Sequence, residues 1–428
     1  MTEQEIAGLG PAFVAYLGRY RSCFLQKRTA AHFDNYCRGL LSNLPRKTVE
    51  PIALEAGTAV RTLQEFLTTA RWDHYHMRDL LQRHLADTIA ELPADTLGTV
   101  GVIDETSCRK WGDETPGVQR QYLGCVGKVD NGIVTVHVGV AKGCFQALLD
   151  ADLYLPQEWA ADRERCRAAG IADDVRYRPK WRIALDQLIR LDDNGIGFDW
   201  LVFDEGYGAS VPLLRVLNAV GQRFVAEVPV NFAVADAVGG PTQRADQRLS
   251  AADAKRGKRY RLAHRTVQDS VWRASTARVW VAGREQVLIV AIHEATAEVK
   301  YFLSNAVSTA VAQLLAVAFC RWSVEHSFRL GKQEAGLMHY EGRDYTGLMR
   351  HLMLALVVLG FVATQTERLR GEKSAGDSGA GLPGVKPALR DGVASSSTGS
   401  GNAASERSHW LSPAAKRASD QVPQETAA

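Results

Sequence analysis

Two short runs, "TVGVID" at 99–104 and "WLVFDEGYG" at 200–208, each carry an unbroken apolar segment up to an aspartate. A strand that is apolar on both faces must be covered on both faces, which places it inside a sheet flanked by helices. That requirement narrows the chain to an α/β fold. The surrounding pattern agrees. "QYLGCVG" (121–127) and "IVTVHVGVA" (133–141) read as further strands, with "KVDNG" (128–132) as a hairpin-like turn between them. Apolar periodicity predicts helices over 179–193 and 209–220, and "RFVAEV" (223–228) another strand. The first strand is therefore expected to end at Asp104, and the strand beginning at Trp200 at Asp204.

On either side the period changes, which divides the chain. Residues 1–95 are helical in pattern, and between 19 and 47 they hold seven Lys/Arg against one acid, Asp34. Within them, 49–67 has the spacing of a helix-turn-helix around Ala53, Gly57 and Leu63, with Arg61, Thr62 and Gln64 facing outward as candidate DNA-recognition residues. Two packed helices joined by a glycine would have the same spacing. The sheet-forming region 96–228 is followed by a β-rich segment, 229–304, read as an inserted subdomain, and by helices over 307–334 and 345–369 within 305–370. A basic stripe at 244–265 suits either a phosphate backbone or a solvated loop. From 371 to 428 the composition is that of a disordered tail.

Seven scattered cysteines form no C-x-x-C pair, which argues against a disulfide framework and structural zinc and suits a reducing cytoplasm. The N-terminus lacks the pattern of a signal peptide. The longest uncharged apolar run, 352–363, is short of the roughly 20 residues that span a bilayer, so no membrane partner is expected. A net charge of +3 is too small to argue for a polyanion without a local concentration of cations.

Such a concentration occurs in "RWSVEHSFRLGK" (321–332). At about 100° per residue, Arg321, Glu325, Arg329 and Lys332 project within about 80° of one another, one acid among three cations on a single helical face. Asp104, Asp204 and Glu325, if they converge, could hold two divalent cations about 3.5–4 Å apart, an arrangement suited to in-line displacement at phosphorus. Hard oxygen donors point to Mg²⁺, with Mn²⁺ able to substitute. Arg321 and Lys332 would then face phosphate rather than the acid. Glu105 and Glu205 alternate away from the proposed ligands, and Asp113 and Glu114 belong to a polar loop. Lys180 opens a helix, where a DNA contact and a capping role are equally compatible with its position.

With these residues, the chain resembles the bacterial insertion-sequence transposases of the DDE superfamily. The resemblance rests on "GVIDETSCRKWG", "GVQRQYLGCVGKVDN", "LYLPQEWAADRERCRAAGI", "VFDEGYG" and "RWSVEHSFRLGKQEAGL", and it covers about residues 20–365. Some of these families carry a Tyr–Arg–Glu–Lys pattern, which Arg321, Glu325 and Lys332 match while Ala318 stands at the tyrosine position. The resemblance implies an RNase H-like core with a β-rich insertion before the glutamate helix. It further implies metal ligation by Asp104, Asp204 and Glu325, two Mg²⁺ per site, and phosphate binding by Arg321 and Lys332. Trp322 is then either a base-stacking residue or a core tryptophan. The implied function is cleavage of double-stranded DNA at the element's ends and strand transfer into target DNA, by a homo-oligomer at the bacterial nucleoid. The alternative is a catalytically inactive or domesticated DNA-binding relative. A glycosidase using a carboxylate pair would explain neither the cationic face nor the basic N-terminus.

Overall fold

The computed structural model describes residues 3–262 and 269–374. The chain opens with α1 (Glu3–Gly18), α2 (Lys27–Leu41), α3 (Val49–Glu55), α4 (Val60–Thr68) and α5 (His74–Glu91). Gly57, at φ +59, makes the left-handed turn between α3 and α4 that a side chain would strain. Ala53 and Leu63 are both fully buried beneath that turn.

The sheet begins with β1 (Val100–Arg109), β2 (Gln119–Leu123), β3 (Lys128–Lys142) and β4 (Phe145–Leu153). The connection from β2 to β3 turns at 124–127, because "KVDNG" pairs with β2 as the start of β3 and is not the turn the sequence suggested. Short helices α6 (Gln157–Ala161) and α7 (Arg163–Ala168) lead to α8 (Lys180–Asp193). Then come β5 (Trp200–Phe203), α9 (Glu205–Gly208), α10 (Val211–Ala219) and β6 (Phe224–Val228). β4 pairs with β3 and β3 with β1, both antiparallel. β1 and β5, and then β5 and β6, are parallel. The resulting order, β4–β3–β1–β5–β6, is the mixed sheet expected of an RNase H-like core.

The β-rich segment continues this sheet. It contains β7 (Ala233–Ala235), β8 (Thr242–Arg244), α11 (Ala245–Arg248), α12 (Ala251–Arg256), β9 (Lys258–Leu262), β10 (Ser270–Val281), β11 (Arg284–His293) and β12 (Val299–Ser304). β12 hydrogen-bonds β6 antiparallel, so one twelve-stranded sheet runs through both regions. The basic stripe is largely neutralised at the surface. Arg244 pairs with Asp246, Arg248 with Asp236 and Arg256 with Asp253, while Arg259 and Arg273 share Glu294. Residues 263–265 of that stripe lie outside the described residues.

Three helices close the fold: α13 (Val311–Phe319), α14 (Trp322–Glu334) and α15 (Tyr345–Ser374). The single helix expected over 307–334 is interrupted at Cys320 and Arg321. There the backbone keeps helical dihedrals but closes i→i+3 bonds, from Cys320 N–H to Val317 O and from Val324 N–H to Arg321 O. α15 is long and apolar enough to cross a membrane, yet 78% of its apolar window is buried inside the protein. Leu352, Leu354, Leu356, Val357, Val358 and Phe361 are at most 1% exposed. At roughly 1.5–3 kcal/mol for each such side chain, that burial fixes α15 as a core helix. The N-terminal helices pack on it: Phe13 lies 4.8 Å from Phe361, and the Tyr16 hydroxyl donates to Val357 O. α15 extends to Ser374, and the rest of the tail lies outside the described residues.

Candidate active site

The register of the parallel pair brings the first two carboxylates together. β1 and β5 pair from Val100↔Trp200 to Ile103↔Phe203, so Asp104 and Asp204 are the next residues on neighbouring strands. Strands so paired lie about 4.8 Å apart. Beyond this point the two chains diverge. Asp204 leaves the sheet and caps α9, its Oδ1 accepting the Tyr207 N–H at 3.2 Å. Asp104 does not end its strand, as the sequence suggested. β1 runs on to Arg109 because "ETSCR" still pairs with β3 along its other edge, where Asp104 faces His137.

Glu325 arrives from the first turn of α14. Gly139 of β3 lets that helix approach closely: a Cβ there would sit 2.7 Å from the Val324 side chain. His137, fully buried, packs its ring edge-on against Phe328 at 5.0 Å and joins Nε2 to Thr135 Oγ1 at 2.7 Å. Burial holds the His137 pKa down at about 3, so the ring is neutral. The sequence reading passed over His137, although a lone imidazole inside "IVTVHVGVA" was a visible exception to an apolar strand.

Arg321 ties the carboxylates together. From the break between α13 and α14 its Nη1 reaches Asp104 Oδ2 at 3.1 Å and its Nη2 reaches Glu325 Oε1 at 3.3 Å. The guanidinium that sequence reasoning turned toward phosphate thus meets two of the three acids. Its side chain is 17% exposed, against 54% for Glu325. Burial is the main force raising the Asp104 pKa, which stands at about 7 after Arg321 and the Glu105 N–H oppose the rise and the negative charges of Asp204 and Glu325 add to it. Burial also works against the charge of Arg321, but Asp104, Glu325, Glu227 and Asp204 outweigh it and hold its pKa above the usual value. Asp104, Asp204, Glu325 and Arg321 thus lie near enough to perturb one another's charge, with Arg321 paired to Asp104 and Glu325.

The remaining candidates fall around this centre. Lys332 is half-buried on the last turn of α14, its pKa lowered by burial, and among the described residues it pairs with no carboxylate. Arg329 points outward and contacts His326 Nδ1 at 2.9 Å. Trp322 is half-buried at the edge of the apolar cluster and packs edge-on against Phe319 at 5.6 Å. Ala318 is buried. Glu105 accepts from Lys180 Nζ at 2.8 Å, which accounts for both. Asp113 and Glu114 are exposed in their loop. Arg61 and Gln64 project from α4 into solvent, with Arg61 bound to Glu65, and Thr62 is half-buried. Tyr207, which sequence analysis did not single out, is buried beside Asp204 with its hydroxyl unpaired among the described residues.

The donor chemistry fits divalent cations. Asp104 is a buried carboxyl under repulsion from two other carboxylates, the strain that a hard cation relieves. The oxygens are not yet gathered, however. Among the described residues no three His, Cys, Asp or Glu side chains are grouped tightly enough to hold an ion.

Comparison with known proteins places this geometry in context. A family model described as "DDE superfamily endonuclease" matches residues 19–294, which include Asp104 and Asp204 and stop short of Glu325. The chain is 33% identical over 222 residues to a protein of Microchaete diplosiphon named "Probable transposase for insertion sequence element IS701". That match covers 51% of this chain and spans about half, 54%, of the relative's length. The NurA nuclease from Sulfolobus solfataricus aligns over 58% of this chain and 81% of its own, at 8% identity and a TM-score of 0.24, a likeness too slight to carry an argument.

Proposed function

The chain belongs to the DDE superfamily endonucleases, and from that premise we propose that it is an insertion-sequence transposase. In this reading it binds the ends of its element as a homo-oligomer, cleaves DNA with Mg²⁺ and transfers the freed strand into target DNA. The observation that carries the proposal is the register Ile103↔Phe203, which sets Asp104 and Asp204 side by side, with Glu325 joined to Asp104 through Arg321. The partial similarity to a probable transposase supports the same reading.

Asp104, Asp204 and Glu325 would hold two Mg²⁺ ions, which when bound supply activation of the attacking oxygen and charge neutralisation at phosphorus. The residues of the chain do the rest. β1 and β5 fix the separation of the two aspartates, and α14 delivers Glu325 from a different layer. Burial of Asp104 leaves little water to screen its charge, so once its proton is lost it would hold a cation more strongly than an exposed carboxylate. Lys332, and Arg321 once phosphate is present, would contact the DNA backbone. Arg61, Thr62 and Gln64 on α4 would read the element's ends from the basic N-terminal helices, residues 1–95 acting as the DNA-binding portion.

The test uses purified full-length protein, Mg²⁺ and a duplex taken from the DNA flanking the coding region. Strand-specific cleavage is expected, and Asp104→Ala and Glu325→Ala are expected to lower its rate by at least about a thousandfold, in line with loss of transition-state charge stabilisation. Cleavage by these variants at the parental rate would refute the assignment.

A further inference from the structure

Arg321 sits between two of the carboxylates proposed as metal ligands. It touches Asp104 Oδ2 and Glu325 Oε1, two of the oxygens that the proposed metal site needs. Two more are engaged elsewhere: Asp104 Oδ1 accepts the Glu105 N–H at 2.8 Å, and Asp204 Oδ1 caps α9. A guanidinium and a divalent ion are both positive and compete for the same carboxylate oxygens. Guanidinium also binds phosphate and carboxylate with the same planar fork, so a phosphate can replace the acids as its partner. The backbone at Arg321 is suited to such an exchange, because it lies where the ladder of i→i+4 bonds lapses between α13 and α14.

We propose that Arg321 couples DNA binding to metal loading by changing partners. In the free protein it bridges Asp104 and Glu325 and stands in for the cation. When a DNA phosphate arrives, the guanidinium turns to it and releases both carboxylates for metal. The metal is thereby admitted chiefly when substrate is present, which keeps the nuclease centre unassembled away from DNA. This rests on the metal-site reading above and adds to it a linkage between two ligands. Such a linkage is reciprocal: the factor by which duplex raises metal affinity is the factor by which metal raises duplex affinity.

The experiment measures Mn²⁺ affinity from the free-ion electron paramagnetic resonance signal, with and without the flanking duplex, on the full chain. Asp104→Asn protein with duplex serves as the blank for ions bound by DNA alone. The parent protein should bind Mn²⁺ roughly 5- to 150-fold more tightly with duplex, the usual range of such couplings. Arg321→Gln, without duplex, should bind Mn²⁺ at least as tightly as the parent does with it, and should gain nothing further from DNA. Two results overturn the proposal: a parent affinity that duplex leaves unchanged, or an Arg321→Gln affinity without DNA that equals or falls below the parent's. The first needs no variant to fold. If Asp104→Asn with duplex binds Mn²⁺ as tightly as the parent with duplex, the metal-site reading fails and takes the coupling with it. If Asp104→Asn loses the ion but Arg321→Gln matches the parent, only the coupling fails.

Discussion

Lys332 lies on the same helix as Glu325, two turns further on, half-buried and without a carboxylate partner among the described residues. An ammonium held partly out of water with no counter-ion sacrifices hydration, and a bound phosphate would restore what it lost. Lys332→Met is therefore expected to leave the fold intact or slightly more stable. The same change should weaken binding to any duplex and reduce the slope of log affinity against log salt by about one. Fluorescence anisotropy titrations across a salt series check this, and an unchanged slope would remove Lys332 from the DNA interface. Arg321 would behave differently in the same titration, because its loss also disturbs two carboxylates. Trp322 makes a useful contrast: its packing on Phe319 predicts a loss of stability on truncation.

At the scale of elements, the decisive contact is between α14 and β3. Gly139 has no side chain to hold the helix away, and Val324 fills the space a Cβ would need, 2.7 Å from it. Gly139→Val should push α14 outward, moving Glu325 relative to Asp104, at about 1–3 kcal/mol in stability for overpacking. The expected result is a folded protein with a modestly lowered melting temperature and a large loss of cleavage. Circular dichroism melting and a cleavage assay separate the two effects, and retention of parental cleavage would show that the seating of α14 is not critical. Little of this contact was legible in the sequence. The apolar runs up to Asp104 and Asp204 marked two buried strands, since strand patterning is local, but that they pair side by side came only from the register of β1 with β5. The break at Arg321 was not legible, because Cys320 and Arg321 have ordinary helical dihedrals and only the hydrogen bonds change. Nor was the turn of Arg321 toward Asp104, 217 positions away along the chain. "KVDNG" misled because its turn residues were overridden by pairing with β2.

Across the whole molecule, N-terminal and C-terminal helices share one core through buried histidines and tyrosines. His351 of α15 bonds the Tyr36 hydroxyl of α2 through Nδ1 at 2.9 Å and Gly336 O through Nε2 at 2.8 Å, joining three parts of the chain. Burial lowers its pKa to about 4, and it lowers His74 and His84 to about 4 as well. A histidine with a depressed folded pKa binds fewer protons folded than unfolded between that value and 6.5. Its contribution to stability is therefore complete above about pH 6.5 and is lost as the pH falls toward 4. For the fully buried His351, the fall from 6.5 to about 4 corresponds to roughly 3 kcal/mol. The melting temperature is expected to drop steeply between pH 6.5 and 4, and less steeply in His351→Asn, an uncharged replacement that retains a hydrogen-bonding amide. The variant should begin less stable at neutral pH, so the informative quantity is the slope and not the absolute temperature. Equal slopes in parent and variant would mean that His351 is not protonated on acid unfolding, and that the junction between the N-terminal helices and α15 is held by its apolar contacts alone.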